Sequence, residues 1–206
     1  LLDPRWNDMK PLKHVPRATH GEVNRDVLID YSFFGRNTLE FVVGNNCRKV
    51  LYLRSSLNPQ YDLGGLGDAA KRLKIPMPEV VQLEDDGQNL DLLAHDKVCE
   101  LAMNWSKTGS RPEALIVSDD IATRGVAIAL IKAGIKVPAD MQLVTFANEG
   151  INHHYGVDVV RYAISPTEVA RKLMLVLEKR MNRLAVDVPQ VIAGGWAPYP
   201  LGVADK

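Results

Sequence analysis

The side chains in this sequence best placed to act on another molecule are carboxylates that follow short apolar runs. Ala114–Val117 is one such run, and Ser118, Asp119 and Asp120 come directly after it. A carboxylate there can accept hydrogen bonds from the first turn of a helix, or from the hydroxyl or amine of a ligand. Capping suits Asp120, and Asp119 can serve either purpose. Asp30 stands in the same relation to the run Val27–Ile29, with the same two readings. Glu149, His153 and His154 raise a metal site, because Glu149 and His153 are spaced i, i+4 and would share a helix face. Gly150 and Gly156 argue instead for a solvated loop. Gly64, Gly65 and Gly67 open a helical stretch and raise a phosphate loop, but the spacing is not that of a dinucleotide site and no Lys-Ser/Thr follows. Ser118 lacks a Gly-x-Ser-x-Gly elbow, and no histidine has a supporting context. This leaves no catalytic constellation, metal set or cofactor motif. The chemistry on offer is hydrogen bonding to a ligand.

The carboxylates need elements to hold them, and the central unit is legible. Ala122, Val126, Ala129 or Leu130, and Ala133 recur at helical spacing after Asp120. Gly134 supplies a left-handed stop, with Pro138 shortly beyond it. Leu143–Phe146 is the next apolar run, so the whole is a strand–helix–strand unit of about 30 residues. A right-handed crossover makes its strands parallel and puts Asp119 at the carboxyl end of the first. Open parallel sheets bind ligands along that edge.

Upstream, Val27–Ile29 and Lys49–Leu53 read as strands around a helix from about Phe33 to Val43, which Gly44-Asn45-Asn46 stops. Asn58-Pro59 marks a turn, and Leu63, Leu66, Ala70 and Leu73 make a helical stripe. Val80–Leu83 is a strand, and Ala94, Val98, Leu101 and Trp105 line an amphipathic helix ended by Gly109. Downstream, Val157–Ile164 is extended. Ser165-Pro166-Thr167-Glu168 is a capping box that opens a helix faced by Val169, Leu173, Leu177 and Met181. Gln190–Ala193 is a last strand. Residues 1–26, with Pro4, Pro11 and Pro16, read as irregular. Alternating strands and helices mean an α/β fold with parallel sheet. Period counting does not distinguish one sheet from two.

Particular residues carry a resemblance. Asp120 with Gly125, Ala133-Gly134-Ile135, Val137-Pro138-Ala139-Asp140 and Leu143–Phe146 follow one another as in the effector-binding domain of lactose-repressor and galactose-repressor type transcription regulators. Asp30 and Gly65-Leu66 extend the likeness, which runs from about Val27 to about Trp196. The resemblance implies two doubly wound parallel-sheet subdomains of periplasmic-binding-protein-like type, the N-terminal one incomplete. Residues 1–53 with 165–184 would form the N-terminal subdomain, and 54–164 with 185–206 the C-terminal one. It implies a small-molecule effector between the subdomains, contacted at the positions of Asp30, Tyr31, Asp62, Asp119, Ala147 and Asn148. It also implies a homodimer, partly through the start of the helix after Asp120, and DNA binding through a module outside this sequence. Tyr31 replaces the family's Asn and Gly44-Asn45-Asn46-Cys47 its Leu-Gly-His, and two further departures bear on the ligand. Asp62 stands where the family carries a ligand-gripping Arg, and Ala147 where it carries an Asp. With Asp30, Asp62 and Asp119 in one cleft and Glu149 at its rim, the expected effector is neutral and polyhydroxylated, or cationic.

Composition sets the remaining limits. The chain has 206 residues, 46% of them hydrophobic, and a formal net charge of zero. A chain of this length can bury ~70% of its unfolded surface. Lys and Arg are interspersed with Asp and Glu, so no block marks a nucleic-acid footprint. Cys47 and Cys99 have no metal-ligand spacing and read as reduced thiols of a cytoplasmic protein. No run reaches the ~20 apolar residues of a membrane span. The sequence opens at Leu1 without Met or signal-peptide pattern, and part of a longer protein is expected. A regulator is therefore the first expectation, a solute-binding protein of a sugar transport system the alternative, and an enzyme lacks a catalytic group.

Overall fold

The computed structural model describes residues 18, 20–21, 26–55, 61–84, 89–151, 153–187 and 189–197. Most of the segment read as irregular, residues 1–26, and the turn at Asn58-Pro59 lie outside the described residues.

The strand runs come out as parallel sheet. The elements are β1 (His20–Gly21), β2 (Val27–Ile29), α1 (Tyr31–Gly44), β3 (Val50–Ser55), α2 (Tyr61–Leu73), β4 (Glu79–Leu83) and α3 (Leu90–Thr108), then β5 (Ala114–Val117), α4 (Asp120–Lys132), β6 (Gln142–Asn148), β7 (Val160–Ile164), α5 (Pro166–Met181), β8 (Gln190–Ile192) and β9 (Gly195–Trp196). One sheet has the order β1-β2-β8, and the other β4-β3-β5-β6-β7-β9. Every pairing is parallel except β7 with β9.

Period two on β3 decides how the larger sheet is covered. Leu51 and Leu53 join Leu115, Val117 and Leu143 in a core built with Ala94, Val98 and Trp105 of α3 and Ala122, Val126 and Leu130 of α4. Tyr52 points the other way, to α1, where Phe34 lies with its ring centroid 6.2 Å from Tyr52 and 5.4 Å from Phe146. So α1 and α2 cover one face and α3 and α4 the other, the doubly wound arrangement. The helix pairs lie very close. A Cβ on Gly65 of α2 would overlap the Ser32 carbonyl of α1, and one on Gly125 of α4 would overlap the Asp91 carbonyl of α3. The glycines that raised a phosphate loop are thus inside α2, and Gly65 is there for packing.

The chain divides into two compact units, 1–29 with 167–192 and 30–166 with 193–206. These boundaries differ from the expected ones. Residues 30–53 belong to the larger unit, because β3 pairs with both β4 and β5 and α1 packs against α2. Residues 185–192 belong to the smaller one, because β8 pairs with β2. In that smaller unit Val27, Val169 and Ile192 form a core, and Arg180 holds Asp26 through two hydrogen bonds of 3.0 and 2.5 Å.

Candidate functional site

Strand order fixes where a ligand can sit on the larger unit. From β3 the chain crosses through α2 to β4 on one side, and from β4 it returns through α3 to β5 on the other, so the direction of the crossovers reverses between β3 and β5. The carboxyl ends beside such a switch point frame a crevice that side chains do not fill. Ser55 and Ser118 meet there, with the Ser55 N–H donating to the Ser118 hydroxyl over 3.2 Å.

Asp119 lies next to that point and caps α4. Its Oδ1 accepts from Ile121 N at 2.8 Å and Ala122 N at 3.1 Å. Capping was expected of Asp120 and allowed for Asp119; Asp120 is the first residue of the helix and 8% exposed. Asp120 lies 3.7 Å from His153 Nε2. Burial, and the charge of Asp120 next, push the Tyr155 hydroxyl well above its ordinary range. Asp119 itself is extended, with φ −149°, ψ 135°, the backbone that lets a cap side chain turn back on its helix.

Asp30 caps α1 in the same way, accepting from Ser32 N at 3.0 Å and from the Ser32 hydroxyl. The ring of Tyr31 lies 5.1 Å from that of Phe146, which ties the start of α1 to the end of β6. Ala147 is 2% exposed and offers only a methyl group; Asn148, half-buried, ends β6. All the sequence-predicted site residues therefore lie on one unit, around the carboxyl edge of one sheet.

Asp62 is different in kind. It is 2% exposed in the first turn of α2, and its Oδ2 accepts from the Tyr52 hydroxyl at 2.6 Å. Its Oδ1 accepts from Arg54 Nε at 3.2 Å and from Leu63 N at 2.9 Å. Arg54, 4% exposed at the end of β3, also donates from Nη1 to Gln82 Oε1 at 2.8 Å. Burial raises the Tyr52 pKa strongly, and the Asp62 charge adds to it. The charge of Asp62 is thus matched inside the protein. Sequence reasoning missed Arg54 and Tyr52. The available signal was their i, i+2 spacing, which puts both on one face of β3.

Glu149 is exposed on a loop where Gly150 and Gly156 have positive φ (83° and 74°). Among the described residues, no three His, Cys, Asp or Glu side chains come together as metal ligands.

A family model described as periplasmic binding protein-like domain matches residues 39–195. The chain belongs to that family. The solved structures similar to this periplasmic binding protein-like chain include a regulatory protein of the LacI family from Chloroflexus aggregans. It has 16% identity and a TM-score of 0.71, covering 88% of this chain and 66% of that one. A sugar-binding transcriptional regulator of the LacI family from Escherichia coli, complexed with phosphate, has 18% identity and a TM-score of 0.69, with coverage of 88% and 65%. The lac repressor dimer bound to operator and the anti-inducer ONPF has 17% identity and a TM-score of 0.69, with coverage of 91% and 56%. At these identities the likeness is one of fold, and the chain spans less than two thirds of each of those structures. No curated protein matches the sequence.

Proposed function

We propose that this domain is the effector-sensing and dimerisation core of a bacterial transcription regulator, acting in the cytoplasm without catalysis of its own. DNA would be bound by a module outside this sequence. One observation carries the ligand part of the reading: at the switch-point edge, α1, α2 and α4 each begin with a carboxylate, Asp30, Asp62 and Asp119.

A helix N-terminus carries partial positive charge and attracts anions. Here each of those three termini already holds one, and Asp62 is further matched by Arg54. An added anion would meet like charge in a partly desolvated place. A hydroxyl or ammonium group would find acceptors. A neutral polyhydroxylated ligand, or a cation, fits best, with Asp119, Asp30, Tyr31 and Asn148 as its contacts and Arg54–Asp62 as a buried support.

The dimer part rests on α4. Ile121, Ile128 and Ile131 are 46%, 51% and 51% exposed, and Arg124 interrupts their stripe. Such a face favours a self-associating regulator over a monomeric solute-binding protein. Effector binding would act on DNA affinity by favouring one of two dimer arrangements.

A thermal-shift screen tests the ligand class. Neutral sugars and polyols, amines, phosphorylated sugars and organic acids are compared on the wild type, and the best ligand is repeated on Asp119→Ala. The reading expects stabilisation from the first two groups and loss of it in the variant. Stabilisation by anions alone would overturn it.

A further inference from the structure

We propose a second small-molecule site at the opposite, amino edge of the larger sheet, built for a small carboxylate with an apolar ring or branched chain. A cavity of about 160 Å³ lies there against Trp105, walled by Ile75, Pro76, Met77, Pro78 and Pro112. An apolar cavity of about 150 Å³ is enough to hold benzene. The walls are rigid where it matters. Three prolines fix the backbone on two sides, and Trp105 is 8% exposed and locked in the core between α3 and the sheet.

Charge at the mouth selects the ligand's other end. Arg48 and Lys49, just before β3, both line the cavity. The Arg48 guanidinium makes no ion pair or hydrogen bond among the described residues. Lys49 Nζ donates to the neutral hydroxyl of Ser110 and forms no ion pair within 4 Å among the described residues. Two carboxylates are near. Glu79 sits exposed on the rim. Glu113 accepts from the backbone N–H groups of Lys49, at 3.0 Å, and of Arg48. Those bonds, and after them the nearby charges of Arg48 and Lys49, hold its carboxyl below the usual range, while its hydrogen bonds go to backbone and leave the donors of both basic side chains open. The mouth therefore keeps cationic donors beside an apolar slot, which suits an anion whose body is hydrophobic. A larger depression of about 440 Å³ lies beyond Trp105, but its Arg111 already faces Asp140 at 3.8 Å.

Trp105 supplies the readout, since only Trp6 and Trp196 accompany it. The indole N–H resonance of Trp105 is followed by NMR in the whole chain and assigned through its absence in Trp105→Phe. Benzoate is titrated beside benzyl alcohol, which has the ring without the charge, and acetate, which has the charge without the ring. The site predicts a saturating shift with benzoate, about threefold or more tighter than with benzyl alcohol, and none with acetate. Arg48→Gln should bring benzoate down to the alcohol's level, while Asp119→Ala leaves it unchanged. No saturation with benzoate, equal binding of the two ring compounds, or an unaltered titration in Arg48→Gln would overturn the proposal.

Discussion

A carboxylate taken out of water is tolerable at Asp62 because two donors are buried with it. Arg54 supplies charge and Tyr52 a hydroxyl, at 3.2 and 2.6 Å. Removing one partner leaves the others unsatisfied, and that asymmetry sets the size of the effect. Tyr52→Phe should cost about 1–3 kcal/mol in urea unfolding. Asp62→Ala, which takes the carboxylate away from a buried guanidinium, should cost about 3–5 kcal/mol. The pH dependence follows from the direction of the Tyr52 shift. Its pKa is raised in the folded protein, so the neutral form is favoured there. That stability is complete below the tyrosine's unfolded value near 10 and falls as pH rises past it. Tyr52→Phe should flatten the alkaline limb of a stability profile, though not fully, since Tyr155 and Tyr162 are shifted the same way. An unchanged limb would remove Tyr52 from the account. At this scale sequence reasoning located the residues around the edge but not their duties. Which of Asp119 and Asp120 caps the helix was not legible, because adjacent carboxylates look alike until one backbone is extended and the other helical. The pairing of Asp62 was not legible because its cation, Arg54, comes from another element.

The elements themselves were legible, for a physical reason. Buried strands need short apolar runs, and α4 needs an apolar face that Gly134, at φ 68°, can end. The glycines of α2 were harder, since Gly64, Gly65 and Gly67 look equivalent in sequence. In the fold only Gly65 of the three is pressed against another backbone, while nothing lies within 4 Å of a Cβ on Gly64. Ala is the better helix former by up to about 1 kcal/mol, so Gly64→Ala should be neutral or mildly stabilising. Gly65→Ala must push α2 away from α1 and should cost about 1–3 kcal/mol or more, as should Gly125→Ala between α3 and α4. Thermal unfolding of the three variants checks the contrast. Equal behaviour of Gly64→Ala and Gly65→Ala would mean that the α1–α2 contact is not so close.

For the whole molecule, composition and alternation gave an α/β fold but not its partition. The expected boundaries group residues 30–53 differently from the compact units, because a strand's sequence does not say which sheet it enters. β3 joins the larger sheet through β4 and β5, a pairing visible only in three dimensions. Association belongs to this scale too. If the α4 face holds a homodimer, Ile128→Glu puts a charge into its centre and should yield monomer in sedimentation equilibrium at micromolar concentration. A wild type that is already monomeric would end that part of the proposal. The ligand edge between β3 and β5 is open to calorimetric titration of a neutral polyol effector into wild type and Asp119→Ala. The account predicts saturable binding to the wild type, weakened about tenfold or more in the variant, the loss of one hydrogen bond made by a charged group. Equal affinity for both proteins would contradict it.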